Sequence, residues 1–205
     1  MKDIRTKRLR LRDLQKEDEH AIHEYSSDPE VTRYMNWGPN TEQDTRNFVQ
    51  RSIASQSEQP RRNFTLAVIL KSENNLIGSC GIYLSNPDQQ EGFIGYVLNK
   101  NLWGKGYATE TASALVKFGF KNLKLHRIFA TCDPQNLVSA RVLEKVGMQK
   151  EGCLRQNYWV RGKWRDSLLF AVLENDFKMG KQNLARQQEI CSSERNENSA
   201  GDTST

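Results

Sequence analysis

No run of this 205-residue sequence approaches the length of apolar chain that a membrane-spanning helix needs, and the opening Met-Lys-Asp-Ile-Arg carries no apolar export segment. A soluble, cytoplasmic protein is the expectation. Cys80, Cys132, Cys153 and Cys191 are scattered, without the close pairs that zinc sites or redox motifs use. Reduced thiols follow, with Cys80, Cys132 and Cys153 expected as small core residues. His20 and His23 lie on neighbouring faces of a short helix but lack a third ligand, so they read as exposed histidines and no metal site is expected. No linker divides the chain. One domain is expected over residues 6–178, followed by a polar, flexible tail at 181–205 without a catalytic role.

Charge of one sign is not strongly in excess either: the net charge is +5, which suits an acidic ligand and equally suits a solvated basic surface. Arg8, Arg10 and Arg12 alternate with Leu9 and Leu11, the period of a half-buried strand with a solvated face. No aromatic residues interleave with them, so no nucleic-acid partner is expected.

What is present centres on Gly92 to Phe120, which divides into strand, loop and helix. Phe93 to Leu98 is apolar enough for a buried strand, while Ala112, Leu115, Val116, Gly119, Phe120 and Leu123 recur at helical spacing. Between them, Trp103-Gly104-Lys105-Gly106 opens onto the helix start, where unpartnered N–H groups and the positive end of the macrodipole attract phosphate. Two glycines also make a plain tight turn. A P-loop is excluded because no Gly-Lys-Ser/Thr stands at the required spacing. The dinucleotide fingerprint is excluded because its third small residue is Thr109 and the acidic residue on the next strand is missing.

Around this stretch the pattern predicts a first strand at Arg8–Arg12 and a helix at Glu17–Ser26, with Ala21, Ile22 and Tyr25 on one face. A second helix follows Thr41, capped together with Asp44 and running to about Ser57. Asn63–Leu70, Leu76–Tyr83 and Gly92–Leu98 read as an antiparallel meander. Arg127–Cys132 follows a helical crossover and should run parallel to the strand before it, so a splayed pair there would form a cleft. Leu137–Val146 reads as a helix with Val138, Val142, Leu143 and Val146 inward. Cys153–Val160 and Trp164–Leu173 flank a hairpin turn at Arg161-Gly162.

Several blocks in order carry a family resemblance: Ile94-Gly95-Tyr96-Val97-Leu98, Trp103 through Glu110, His126-Arg127-Ile128, Asp133 through Ser139, Glu144 through Met148, Glu151 through Arg155, and Trp164-Arg165-Asp166. The chain resembles the Gcn5-related N-acetyltransferase (GNAT) family, and within it the branch that acetylates the N-termini of ribosomal proteins. The resemblance implies an α/β (α+β) fold with a mixed, mostly antiparallel twisted sheet of about seven strands, flanked by helices, with a V-shaped cleft between central strands. It implies direct transfer of an acetyl group from acetyl-CoA to an amine. A protein N-terminal amine is the first acceptor candidate. The alternatives are a small amine (a polyamine, an amino sugar or an antimetabolite) or a noncatalytic CoA-binding protein. A monomer or a homodimer would serve either way.

On this resemblance, Trp103, Gly104, Lys105, Gly106, Tyr107 and Ala108 hold the pyrophosphate, and the edge at Tyr96, Val97 and Leu98 pairs with the pantetheine amides. An N–H at Tyr96 or Val97 stabilises the thioester oxygen. The tyrosine that often protonates the leaving sulfur is replaced by Leu143, which moves attention to Ser139; Asn136 could bind pantetheine. Both are equally ordinary helix-start residues. Tyr34 and Trp37, in the loop up to Pro39, and Tyr158 are candidates for binding the acceptor, with Tyr34 and Trp37 also serving as loop anchors. The family's glutamate is Phe93 here, leaving Glu91 as a candidate base; Glu110 and Glu151 read as structural, and bulk water could take the proton. Asn101 replaces the usual Gln or Arg.

Overall fold

The computed structural model describes residues 1–178, and the expected polar tail, Cys191 included, lies outside the described residues. Eight strands form one sheet: β1 (Ile4–Arg5), β2 (Leu9–Asp13), β3 (Asn63–Leu70), β4 (Asn75–Asn86), β5 (Glu91–Leu98), β6 (Arg127–Cys132), β7 (Gln149–Val160) and β8 (Lys163–Leu173). Their order is β1-β2-β3-β4-β5-β6-β8-β7. All neighbours are antiparallel except β5 and β6. The two-residue β1 raises the expected seven strands to eight. Among the described residues no helix is long and apolar enough to cross a membrane.

Helices cover both faces, so the inner strands are apolar on both sides rather than alternating. On β3, Leu66, Val68 and Leu70 join Ile82, Ile94, Leu115 and Phe170 in one core, under α4 (Tyr107–Lys121) and α5 (Leu137–Lys145). Ala67 and Ile69 pack on the opposite side with Ile22, Tyr25 and Val49, from α1 (Glu19–Ser26) and α3 (Glu42–Ala54). Each fully buried Leu or Ile contributes about 2 kcal/mol by leaving water. Between α1 and α3 lies a four-residue helix not expected from the sequence, α2 (Pro29–Thr32); Asp28 caps it and Pro29 needs no N–H there.

Four local expectations need correction. Val138 is 73% exposed rather than inward, because core packing of α5 begins at Ala140 and the first turn projects past it. Cys153 is exposed on the edge strand β7, whereas Cys80 and Cys132 are buried. His23 is half-buried and bonded to the Thr45 hydroxyl at 3.0 Å, while His20 is exposed as expected. The face carrying Arg8 and Arg12 is not simply solvated: Arg12 pairs with Asp18 at 2.7 Å, and Arg8 with Glu110 at 2.7 Å.

β5 and β6 pair only from Glu91–Arg127 to Phe93–Phe129, and then diverge. Arg127 spans the vertex, donating to Glu91 at 3.0 Å and forming a two-pronged pair with Glu151 of β7 at 2.7 and 2.6 Å. Beyond this vertex the sheet is open.

Candidate active site

Strand alternation decides which backbone groups face the opening. The Gln90 carbonyl accepts from the N–H groups of His126 and Arg127, and the Asn99 N–H donates to Ile77 of β4 at 2.8 Å. Even-numbered residues of β5 therefore turn their amide edges toward β6, and odd-numbered ones toward β4. Past Phe93 no strand lies opposite, so the edge groups of Tyr96 and the N–H of Leu98 face the cleft. The Leu98 carbonyl accepts from the Trp103 indole N–H at 2.9 Å. Val97 offers its amide to β4 instead, which removes it as the alternative donor to a thioester oxygen; its side chain lines the other side of the opening.

The glycine loop has the form a phosphate cradle requires. Gly104 and Gly106 hold φ at +75° and +78°, the left-handed region, and Gly106 is the residue before the first turn of α4. A Cβ at Gly104 would meet nothing within 4 Å, so that side of the loop is open. Arg8 fixes the loop from behind. Its Nη1 donates to the Lys105 carbonyl at 2.8 Å, its guanidinium lies 4.4 Å over the Tyr107 ring, and its Nε donates to Glu110. Glu110 also accepts from the Thr6 hydroxyl and the Arg8 N–H. Burial raises the Glu110 pKa, but these bonds and the Arg8 charge outweigh it and hold the carboxyl below its ordinary 4.5. The sequence reading of Arg8 as solvated missed this link. An acid in the first helical turn beside a basic strand was the available signal.

Between the diverging strands lies a cleft of about 710 Å³. Of the residues singled out from sequence, Tyr34, Trp37, Tyr96, Val97, Asn136, Ser139 and Tyr158 line it; the residues from Leu98 to Ala108 lie beyond its lining, toward α4. Glu91 is not brought there, because its carboxylate is taken by Arg127 and the Ser85 hydroxyl. The Asn136 Oδ1 accepts from the Ser139 N–H at 3.0 Å, an ordinary cap, and among the described residues its amide NH₂ has no partner. The Tyr96 hydroxyl stands 3.1 Å from Ser139 Oγ. Burial pushes the Tyr96 pKa up to about 12, only partly offset by the Ser139 bond, so the phenol keeps its proton at neutral pH.

The acceptor side is assembled from separate elements. β7 opposes three residues, Arg155, Gln156 and Asn157, to Asp166 alone, and this bulge brings Tyr158 to the cleft. At the β7–β8 turn, Arg161 reaches across to the loop after α2. It donates to the carbonyls of Thr32 (3.0 Å), Arg33 (3.2 Å), Trp37 (3.2 Å) and Gly38 (2.8 Å), the segment that carries Tyr34 and Trp37. Arg165 Nη1 bonds the Met35 carbonyl, and its Nε lies 3.2 Å from Asp133 at the end of β6. From sequence Arg161 reads only as part of a turn and Arg165 only as part of a resemblance block, with no site role for either. Nothing in their spacing points to a loop more than 120 residues away.

The GNAT acetyltransferase domain model matches residues 8–149, and the chain belongs to that family. It is an acetyl-CoA-dependent N-acetyltransferase, the enzyme class that the open β5 edge and the glycine cradle fit. It is 37% identical to an uncharacterised N-acetyltransferase, YnaD, of Bacillus subtilis, across 85% of this chain and 98% of that protein. A GNAT-family acetyltransferase from Bacillus anthracis superposes with a TM-score of 0.75 at 40% identity, over 85% of this chain and 99% of the other. Two structures at 20% identity share the fold. The ribosomal L7/L12 α-N-protein acetyltransferase RimL, in complex with coenzyme A, has a TM-score of 0.75 over 84% of this chain and 98% of its own. Spermidine N-acetyltransferase from Vibrio cholerae, with CoA and spermine, has one of 0.72 over 84% and 99%.

Proposed function

We propose that the acceptor is the N-terminal α-amine of a protein, acetylated in the cytoplasm. The observation that carries this reading is the state of the carboxylates lining the cleft, Asp44 and Asp133. Asp44 is engaged by the Thr41 N–H and hydroxyl, and Asp133 by the Gln135 N–H and Arg165. The Thr41 bonds hold the Asp44 carboxyl below its ordinary value and Asp133 is paired with Arg165, so neither is suited to take a proton from an amine. Without a base, the acceptor must lose its own proton to solvent. An α-amine does so at about pH 7.7–8.0, against about 10.4 for a lysine-like alkyl amine, so at neutral pH it is ionised far less. Polyamines, whose amines are alkyl amines, are disfavoured on that count.

Bound acetyl-CoA supplies an activated acetyl thioester. Gly104, Lys105 and Gly106, with the first amides of α4 at Tyr107 and Ala108, would hold its pyrophosphate, Trp103 closing the end of β5. The edges of Tyr96 and Leu98 would pair with pantetheine amides, and Asn136 would add its side-chain NH₂. Tyr96 N–H is the donor available to the thioester oxygen. The Ser139 hydroxyl would donate a hydrogen bond to the departing thiolate sulfur, which takes its proton from solvent. When Tyr96 donates to Ser139 Oγ, the serine proton is turned away from the phenol and is free for that task. Tyr34, Trp37 and Tyr158 form the acceptor walls, and Glu91 has no catalytic part.

The test compares an N-terminal Ser peptide with spermidine, each across pH 4.5 to 9.5. The peptide should be the better substrate, its rate rising to a plateau near pH 8 with no step at lower pH. Ser139→Ala and Tyr96→Phe should lower kcat roughly 10- to 100-fold while acetyl-CoA affinity holds. Faster turnover of spermidine, or an inflection near pH 5 to 6 that marks an enzyme carboxylate, would overturn the reading.

A further inference from the structure

The reading of an N-terminal acceptor leaves its sequence open, and the charges around the cleft narrow it. α3 presents Asp44, Asn47, Phe48 and Arg51 to the cleft, a stripe at the three- and four-residue spacing of one helical face. Asp44 is spent on the capping box with Thr41. Across the cleft, Asp133 and Arg165 neutralise each other. Arg51 is different: among the described residues its exposed side chain makes no hydrogen bond or ion pair and exerts only a minor pull on Asp44, behind the Thr41 bonds. Behind the acceptor loop, Arg161 faces four carbonyl oxygens and no carboxylate. Of the two carboxylates lining the cleft, Asp133 is paired and Asp44 is hydrogen-bonded in its cap, while the Arg51 and Arg161 side chains are in no ion pair among the described residues.

We propose that the preferred acceptor carries a carboxylate close behind its N-terminal amine and that Arg51 recognises it. This rests on the N-terminal reading above. Tyr34, Trp37, Phe48 and Tyr158 give an aromatic wall to the first residues, and the planar guanidinium of Arg51 offers two parallel donors to an acid beyond them. The α3 stripe is about 10 Å long at 1.5 Å per residue. An extended peptide covers that distance in about three residues. We place the acid within the first four positions, the reach of an extended peptide along a stripe of that length, and a basic residue there is repelled by Arg51.

The experiment uses the full chain with acetyl-CoA and three Ser-initiated octapeptides that differ only in carrying Glu, Gln or Lys at positions two to four, with spermidine alongside. For the parent enzyme, kcat/KM should fall about tenfold from the Glu to the Gln peptide, and further for Lys. Arg51→Gln should bring the Glu-to-Gln ratio near one, and Arg51→Glu should invert it, with acetyl-CoA titration reporting that both variants are folded. Equal rates on the Glu and Gln peptides in the parent, or a Glu preference that survives Arg51→Gln, would overturn the proposal while leaving N-terminal acetylation standing. Acetylation of spermidine with none of the peptides turned over would instead remove the N-terminal reading, and this proposal with it.

Discussion

The two halves of the cleft are built by different means. The cofactor half depends on backbone: an unpaired edge on β5, two glycines in the left-handed region and a helix start. Its side chains mostly serve from behind, as Arg8 and Glu110 do. The acceptor half depends on side chains from α1, α3, the loop after α2 and the β7–β8 hairpin, joined by Arg161 and Arg165. Backbone recognition suits a ligand that is always the same, because side chains may vary without loss. A wall of side chains lets one scaffold accept different amines, which accords with RimL and a spermidine acetyltransferase sharing this fold.

If the halves are independent, variants should separate them. The largest effect is expected from Gly106→Glu, which forces a side chain into φ +78° and places an anion at the cradle: acetyl-CoA affinity should fall at least about 100-fold by calorimetry, with the circular dichroism spectrum retained. Arg161→Ala should act on the other half alone. Releasing four carbonyls should loosen the Tyr34–Trp37 loop and raise the acceptor KM about tenfold, with acetyl-CoA affinity unmoved. A matching loss of cofactor affinity would break the separation.

The smallest effect tests the support behind the cradle. Because the folded-state pKa of Glu110 is depressed, its stabilising contribution is present above the ordinary 4.5 and is lost as pH falls through the lower folded value. Glu110→Gln should therefore lower Tm by a few degrees at pH 7. That difference should shrink toward pH 3, and a constant gap across the range would show that the carboxylate charge is not what matters.

The same division explains what the sequence made legible. Strand, glycine loop and α4 were readable because each depends on local pattern, and the start and end of β6 fell where the period placed them. That β6 runs parallel to β5 was foreseeable from the helical crossover, whereas the cleft between them came from the family resemblance and not from local pattern. Arg161, Arg165 and Arg51 were hidden because their meaning comes from partners, or a lack of partners, that only the fold brings near. Glu91 was misplaced for a related reason. Strand parity put it on the correct face, but the competing claim of Arg127, 36 residues on, leaves no trace in local spacing.

The Phe93–Phe129 pair, two residues on from the ion-paired Arg127, is where β5 and β6 part, and five residues of β5 extend beyond that point to Leu98. In mechanical terms it is the pivot of a lever about 17 Å long at 3.3 Å per residue. A rotation of only about 1° there carries the far end of the strand about 0.3 Å, a distance that matters for hydrogen-bond lengths. The gap into which acetyl-CoA must fit is thus gauged at its narrow end, by three charged side chains that never meet the ligand.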